Sequence, residues 1–462
     1  MRLERVSGGQ DDRYAAGYIM LHGRAPRYSL AMMVRRGLLT GAAAFALPLA
    51  GCNPRPEVQP PPLRLGDAVE ARSETALEAS LPADPPSDPY ARLGVALRRL
   101  DQRQDARALV MIIGDSHSAG PVLSERLREL FQARYGAIGP GRYAPGKSQR
   151  FFNPTAVTLN QGGEWVARNA LRSATPGPFG LTGYRLSGER AGDWISLRCN
   201  DEAGFDRVHL TMQFGPGGGR FRFRLDGRES EPASTSAAAP AAHVFRLDVP
   251  PRSREIGIEL LGDGPVEILG LGVDRRGRGV LVEAFGINGA TIGSLDNRDA
   301  NLLARELAAA PPALLILEFG TNEATDRDLD QSGYAAALSR QVARLKRMSP
   351  RSGIMLMAAP DAARPASRGR GSACGGALTP LPTLNAVRAA QRQVAQRERI
   401  GLFDWAGEVT QDMCRLPAMA SGPTALMRAD LVHFTPDGYR LTAERLHAHI
   451  LRGAGIAPGP TA

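Results

Sequence analysis

Two hydrophobic rhythms divide the chain. Across residues 89–144, and again across 279–455, short apolar runs alternate with segments whose apolar residues recur every three or four positions. The runs Ala108–Ile113, Val280–Val282 and Ala313–Leu317 predict buried strands near 108–113, 280–285 and 313–318, with two more near 353–357 and 400–404. Val122, Leu123, Leu127, Leu130 and Phe131 have helical spacing and predict a helix over 120–134, with Pro121 in its first turn. Further helices are predicted near 298–309, 333–348, 383–398 and 436–452, the second burying Leu338, Val342 and Leu345 and the third Leu384, Val387 and Val394. Another opens at Asp88-Pro89 and carries Leu93, Val95, Leu97 and Leu100. Strands alternating with helices predict an α/β fold around a parallel sheet.

From 145 to 278 the period changes to two. Val208–Phe214, Phe221–Leu225, Val244–Val249 and Ile256–Leu260 alternate apolar with polar residues between Gly, Pro and Asp turns. That pattern predicts a β-sandwich inserted into the α/β unit. The Ser/Ala/Pro-rich piece 229–242 reads as a mobile loop inside it. The Gly/Arg/Ser-rich stretch 364–376 reads as a lid or a plain loop.

The chemistry collects at turns that follow the apolar runs. Gly114-Asp115-Ser116-His117-Ser118 leaves the first strand, so the Ser116 hydroxyl falls at the carboxyl edge of the sheet, where open α/β folds place ligands. A serine needs a base, and the base needs an orienting group. Of seven histidines (22, 117, 209, 243, 433, 447 and 449), His433 has the best local partner, Asp430, three residues before it on a loop or first helical turn. His117 adjoins Ser116, but neighbouring side chains on a turn diverge, so it reads as structural. Asn322, in Phe319-Gly320-Thr321-Asn322-Glu323, sits at the same edge and offers an uncharged donor for an oxyanion. Gly289, in Gly286-Ile287-Asn288-Gly289-Ala290-Thr291, offers a backbone N–H unobstructed by a Cβ.

Ser116, Gly289, Asn322 and His433 resemble, in order, the four signature residues of the SGNH (GDSL-like) hydrolases. The wording of the four segments is similar to the periplasmic peptidoglycan O-acetylesterases of the Ape type, and the likeness covers roughly residues 90–450. It implies Ser116 as nucleophile, His433 as base and Asp430 as its orienter, with an oxyanion hole of Ser116 N–H, Gly289 N–H and the Asn322 amide. It also implies a three-layer SGNH-hydrolase fold, a flavodoxin-like parallel sheet interrupted by a β-sandwich that resembles a carbohydrate-binding module. The implied substrate is an O-acetylated cell-envelope glycan, the reaction removal of acetyl groups, and neither cofactor nor metal is required. A glycan O-acetyltransferase on the same fold and a non-catalytic glycan-binding lipoprotein stay open as alternatives.

The start of the chain bears on where this happens. Arg35-Arg36, the apolar Ala42–Leu49 and then Leu49-Ala50-Gly51-Cys52 have the layout of an export signal ending in a sequence that resembles a lipobox, which would lipidate Cys52. Met32 or Met33 reads as the true start, which leaves residues 1–31 untranslated. The expected organisation is a signal segment 1–51, a Pro-rich tether 52–88, an α/β part 89–144, the sandwich 145–278, a second α/β part 279–455 and a tail 456–462. The expected location is the periplasm, anchored to a membrane (the outer one in preference) through a lipid on Cys52, as a monomer. Of 57 basic residues only Lys147 and Lys346 are lysines, and the net charge of +10 forms no basic stripe with interleaved aromatics, which argues against nucleic-acid binding. Three cysteines remain besides Cys52. Cys374 and Cys414 lie in loops of the C-terminal half and are the expected disulfide, with Cys199 a buried spare. Their spacing resembles no metal site.

Overall fold

The computed structural model describes residues 69–70, 88–150, 152–366 and 370–457. The signal segment, Cys52 and all of the tether except 69–70 and Asp88 therefore lie outside the described residues, as do 458–462 of the tail.

Five strands form a parallel sheet in the spatial order Gly279–Gly286, Arg107–Gly114, Leu314–Glu318, Gly353–Met357 and Gly401–Phe403. Numbered along the chain that order is 2-1-3-4-5, the flavodoxin-like arrangement, with its switch point between the first and third strands. Alternate residues of each strand go to opposite faces, as the pleat requires. Val110, Ile112, Val280, Val282, Leu314 and Ile316 meet helices Ala91–Asp101, Pro121–Tyr135 and Pro436–Gly453 on one side. Leu109, Met111, Ile113, Leu281, Leu315 and Leu317 meet helices Ala300–Ala309, Gln331–Met348 and Leu384–Glu398 on the other. Each predicted α/β element is present, with ends displaced by no more than a few residues.

The insert is a sandwich of two antiparallel sheets around a core that includes Leu186, Leu197, Phe205, Met212, Phe221, Phe223, Ile258 and Ile268. It begins at strand Gly141–Tyr143, inside the segment assigned above to the catalytic part, because that strand pairs with Val266–Asp274. Strands Val157–Gly162, Val166–Asn169, Tyr184–Gly188, Trp194–Cys199 and Val266–Asp274 add to those read from alternation. Part of the tether joins in too: Val69–Glu70 pairs with Arg246 and Phe245 on Ala241–Ser253, taking up backbone groups of that strand. The piece 229–242 is not a free loop. Ala233–Ser234 pairs with Phe221 and Arg220, and Thr235 is buried, its Oγ1 donating to Gly219 O at 2.9 Å.

Charged groups lock the insert to the α/β unit. Arg142 of the insert bonds Glu283 of strand Gly279–Gly286 through its guanidinium (2.7 Å) and its backbone N–H (2.9 Å), both side chains being nearly inaccessible. Glu306 of helix Ala300–Ala309 accepts from Thr211 Oγ1 at 2.8 Å and from Leu181 N at 2.5 Å, and Arg298 donates to Leu181 O at 2.8 Å.

The stretch 364–376 is partly a hairpin, Ala363–Pro365 against Leu378–Pro380, with 367–369 outside the described residues. Cys374, between the two strands of that hairpin, is bonded to Cys414, and Cys199 is free and buried.

Gly286 ends its strand against the turn that carries Ser116. A Cβ there would lie 2.3 Å from Ala119 N and 2.5 Å from Asp115 O, both backbone atoms that cannot swing aside. Gly286→Ala is expected to cost on the order of 1–3 kcal/mol, the usual range for overpacking, visible as a lower Tm. Because the displaced backbone carries Ser116, its hydroxyl is expected to shift with it.

Candidate active site

Ser116 opens a single helical turn, Ser116–Ala119, directly after strand Arg107–Gly114. Asp115 caps that turn by accepting from His117 N at 2.9 Å. The hydroxyl thus stands at the carboxyl edge of the sheet beside the switch point.

His433 reaches it from the other end of the chain. Ser116 Oγ lies 3.0 Å from His433 Nε2, and His433 Nδ1 lies 2.8 Å from Asp430 Oδ2. Asp430-Leu431-Val432-His433 is a loop rather than a helical turn, since the helix starts only at Pro436 with Thr435 accepting from Gly438 N at 3.2 Å. Asp430 shapes that loop: its Oδ1 accepts from Val432 N (3.0 Å) and His433 N (2.9 Å) while Oδ2 takes the ring. Buried Leu431, at φ +54°, anchors the loop's midpoint in the core, and Arg428 N closes it onto His433 O at 2.8 Å. Burial works against the ionised form of Asp430. The bonds from the His433 ring and from the two backbone N–H groups outweigh it and hold the carboxyl well below the usual carboxylate range. A carboxylate fixed on Nδ1 leaves Nε2 as the nitrogen that faces the serine, which is the arrangement that activates a hydroxyl.

Gly289 sits in a turn at φ +79° with open space where a Cβ would be. Among the described residues no hydrogen bond takes up its N–H or that of Ser116. Asn322, following strand Leu314–Glu318, comes to the same place by donating from Nδ2 to Ala290 O at 2.9 Å. The amide expected to donate to an oxyanion already has two partners. The second N–H goes to Asp115 Oδ2 at 3.2 Å, as expected of a part-buried donor. Ser116, His433, Asp430, Gly289 and Asn322 are therefore gathered on one rim.

Four supporting residues escaped the sequence reading. Glu323 spans two turns of the rim, accepting from Ile292 N (2.7 Å) and Gly320 N (3.0 Å). Glu318 is a buried acid closing an apolar strand, an anomaly that was visible in Leu-Leu-Ile-Leu-Glu. Trp405 stacks on Phe434 at 5.3 Å between ring centres, edge-on to His117 at 5.0 Å, and Tyr439 Oη lies 3.1 Å from His117 Nδ1.

His117 is the remaining imidazole of the site. Burial, and after it the neighbouring His433, push it down to about 3. It stays neutral in the fold but binds a proton when unfolded below its ordinary value near 6.5. Between those two values the unfolded chain holds the extra proton, so stability falls as pH falls, by up to about 1.4 kcal/mol per pH unit. Thermal melts of wild type and His117→Gln between pH 7 and pH 4 are expected to converge as the pH drops.

Residues 260–441 match the GDSL-like Lipase/Acylhydrolase family. No curated protein sequence matches the chain. Among solved structures, a peptidoglycan O-acetylesterase superposes with a TM-score of 0.65 at 22% identity, over 84% of this chain and 99% of that one. A family two carbohydrate esterase from Clostridium thermocellum (TM-score 0.27, 12% identity, 64% of this chain and 100% of that one) is far more distant. So is a lipase/acylhydrolase from Enterococcus faecalis (0.27, 19%, 40% and 80%). With a flavodoxin-like sheet and an inserted sandwich, the chain has the fold of the peptidoglycan O-acetylesterase on which it superposes, and residues 260–441 within it are similar to the GDSL-like lipases and acylhydrolases.

Proposed function

We propose that the protein is a serine esterase that removes O-acetyl groups from a cell-envelope glycan, peptidoglycan before others, through Ser116, His433 and Asp430. The observation that carries this reading is the unbroken chain from Asp430 Oδ2 through the His433 ring to Ser116 Oγ, 2.8 and 3.0 Å long, beside two N–H groups that nothing among the described residues takes up. In the reaction His433 Nε2 takes the hydroxyl proton as Oγ bonds to the acetyl carbon. The carbonyl oxygen becomes an oxyanion facing Ser116 N–H, Gly289 N–H and the Asn322 amide. His433, now charged and stabilised by Asp430, gives its proton to the departing sugar oxygen. Water repeats the sequence on the acetyl-enzyme and releases acetate.

Hydrolysis is favoured over transfer to a second sugar by the openness of the site. The side chains of His433 and Asp430 are 35% and 48% exposed, so water reaches the base directly. A transferase must keep water from its acyl-enzyme. The export reading completes the proposal: the enzyme works in the periplasm, held to a membrane by an acyl chain on Cys52.

Acetate release from purified O-acetylated peptidoglycan, with Ser116→Ala alongside, tests the function. Ser116-dependent release is expected. Turnover of a chromogenic acetate ester without release from peptidoglycan would keep the esterase and reject the glycan; turnover of neither would reject both.

A further inference from the structure

Two carboxyl groups lie beneath the Ser116 turn without a part in the steps above. Asp115 is 0% exposed and Glu318 is 1% exposed. They come from the ends of adjacent parallel strands whose register sets Glu318 against Gly114. Asp115 N donates to Glu318 O at 3.1 Å and to Glu318 Oε2 at 3.2 Å, which sets the Glu318 carboxyl beside Asp115, and burial pushes both acids up. Neither has an arginine or lysine bonded to it among the described residues. Two ionised carboxylates this close in a dry interior, with no cation bonded to either, repel strongly, so the pair favours sharing one proton.

The pair leads to the rim through Asn322. Asp115 Oδ1 is committed to His117 N, which leaves Oδ2 facing Asn322 Nδ2 at 3.2 Å. The other Asn322 N–H is tied to Ala290 O at 2.9 Å, next to Gly289. An amide with two N–H groups and two partners has no free rotation. It can serve an oxyanion only by sharing or releasing the longer of its bonds.

We propose that the Asp115–Glu318 carboxyl pair is a positioning device for the oxyanion hole, with Asp115 holding the Asn322 amide in register beside Gly289 until the developing oxyanion takes over its 3.2 Å bond. The inference rests on the nucleophile and oxyanion assignments made under the proposed function. The shared proton has a purpose here. A lone carboxylate at Asp115 would grip the amide tightly and repel an oxyanion close by. A pair in which the charge resides partly on Glu318 does less of both. Asp115 and Glu318 act through Asn322 and touch no reacting atom, so they are positioning residues.

The test is a double-mutant cycle read on serine reactivity rather than on any one sugar. A fluorophosphonate probe bonds phosphorus to Ser116 Oγ, fluoride leaves and His433 takes the proton, through the same oxyanion donors. Asp115→Asn turns an acceptor facing Asn322 into a donor, and is expected to slow labelling about 10- to 100-fold. Combined with Asn322→Ala, it is expected to add less than about twofold, since the group it positions is gone. Glu318→Gln keeps the shape of the pair and is expected to cause a smaller loss that also vanishes with Asn322→Ala. Melting curves of each variant identify any that fail to fold. If Asp115→Asn slows labelling as much without Asn322 as with it, or not at all in either background, the inference is overturned. If wild type is labelled but releases no acetate from peptidoglycan, the substrate reading fails and this one stands. If wild type is not labelled at Ser116, both fall.

Discussion

Ser116→Ala is expected to lower turnover of an acetyl ester by about 10,000-fold or more while the protein still folds. The side chain stands at the mouth of a turn, and losing its hydroxyl removes one contact, to His433 Nε2. No core packing goes with it. The proposed reaction, in contrast, loses the atom that would form the acyl bond, so only the proposed oxyanion donors and binding would remain to assist water. Steady-state rates on a chromogenic acetate ester, with a melting curve of the same preparation, check both halves of this expectation. A variant that keeps more than a few per cent of wild-type turnover would remove Ser116 from the mechanism.

His433→Ala is expected to cost a similar factor, and the neighbouring imidazole is not expected to rescue it. His117 is close, its ring centre 5.3 Å from that of His433. Its Nδ1 is engaged with Tyr439 Oη, and its Nε2 is buried with no partner among the described residues. Burial also depresses its basicity to about 3, too weak to hold a proton taken from serine near neutrality. A general base needs reach and affinity, and His117 has neither. Adding free imidazole to His433→Ala offers a second check: partial recovery of turnover is expected, because the half-exposed position of the ring leaves room for a diffusible base.

The α/β half of the molecule was legible because buried parallel strands read as unbroken apolar runs and their helices as amphipathic stripes. Leu314–Leu317 and the Leu338, Val342, Leu345 stripe show both. The sandwich was half legible. Strand Phe221–Leu225 alternates cleanly, whereas Val266–Asp274 reads Val-Glu-Ile-Leu-Gly-Leu-Gly-Val-Asp, apolar on both faces because it pairs at the sandwich core while abutting the α/β unit. Val157–Gly162 is mostly polar and becomes a strand only through its partner Trp194–Cys199. In the site, the residues with local signatures were found, since glycine turns and a short Asp–His spacing are written in one stretch of chain. The Asp115–Glu318 pair was not, because strand register brings together positions 203 residues apart. Asn322 lies after its strand near Asp115, and its two existing bonds depend on Ala290 and Asp115, which no local pattern encodes.

The bond between Arg142 and Glu283 has a practical consequence for anyone who would trim this protein. Splicing out residues 141–274 to obtain a minimal esterase would leave Glu283 without its guanidinium and Glu306 without Thr211 and Leu181, two acids stranded on newly wetted surface. The hydrolytic half and its passenger were welded by charge, so they must be inherited, expressed and engineered as a single piece.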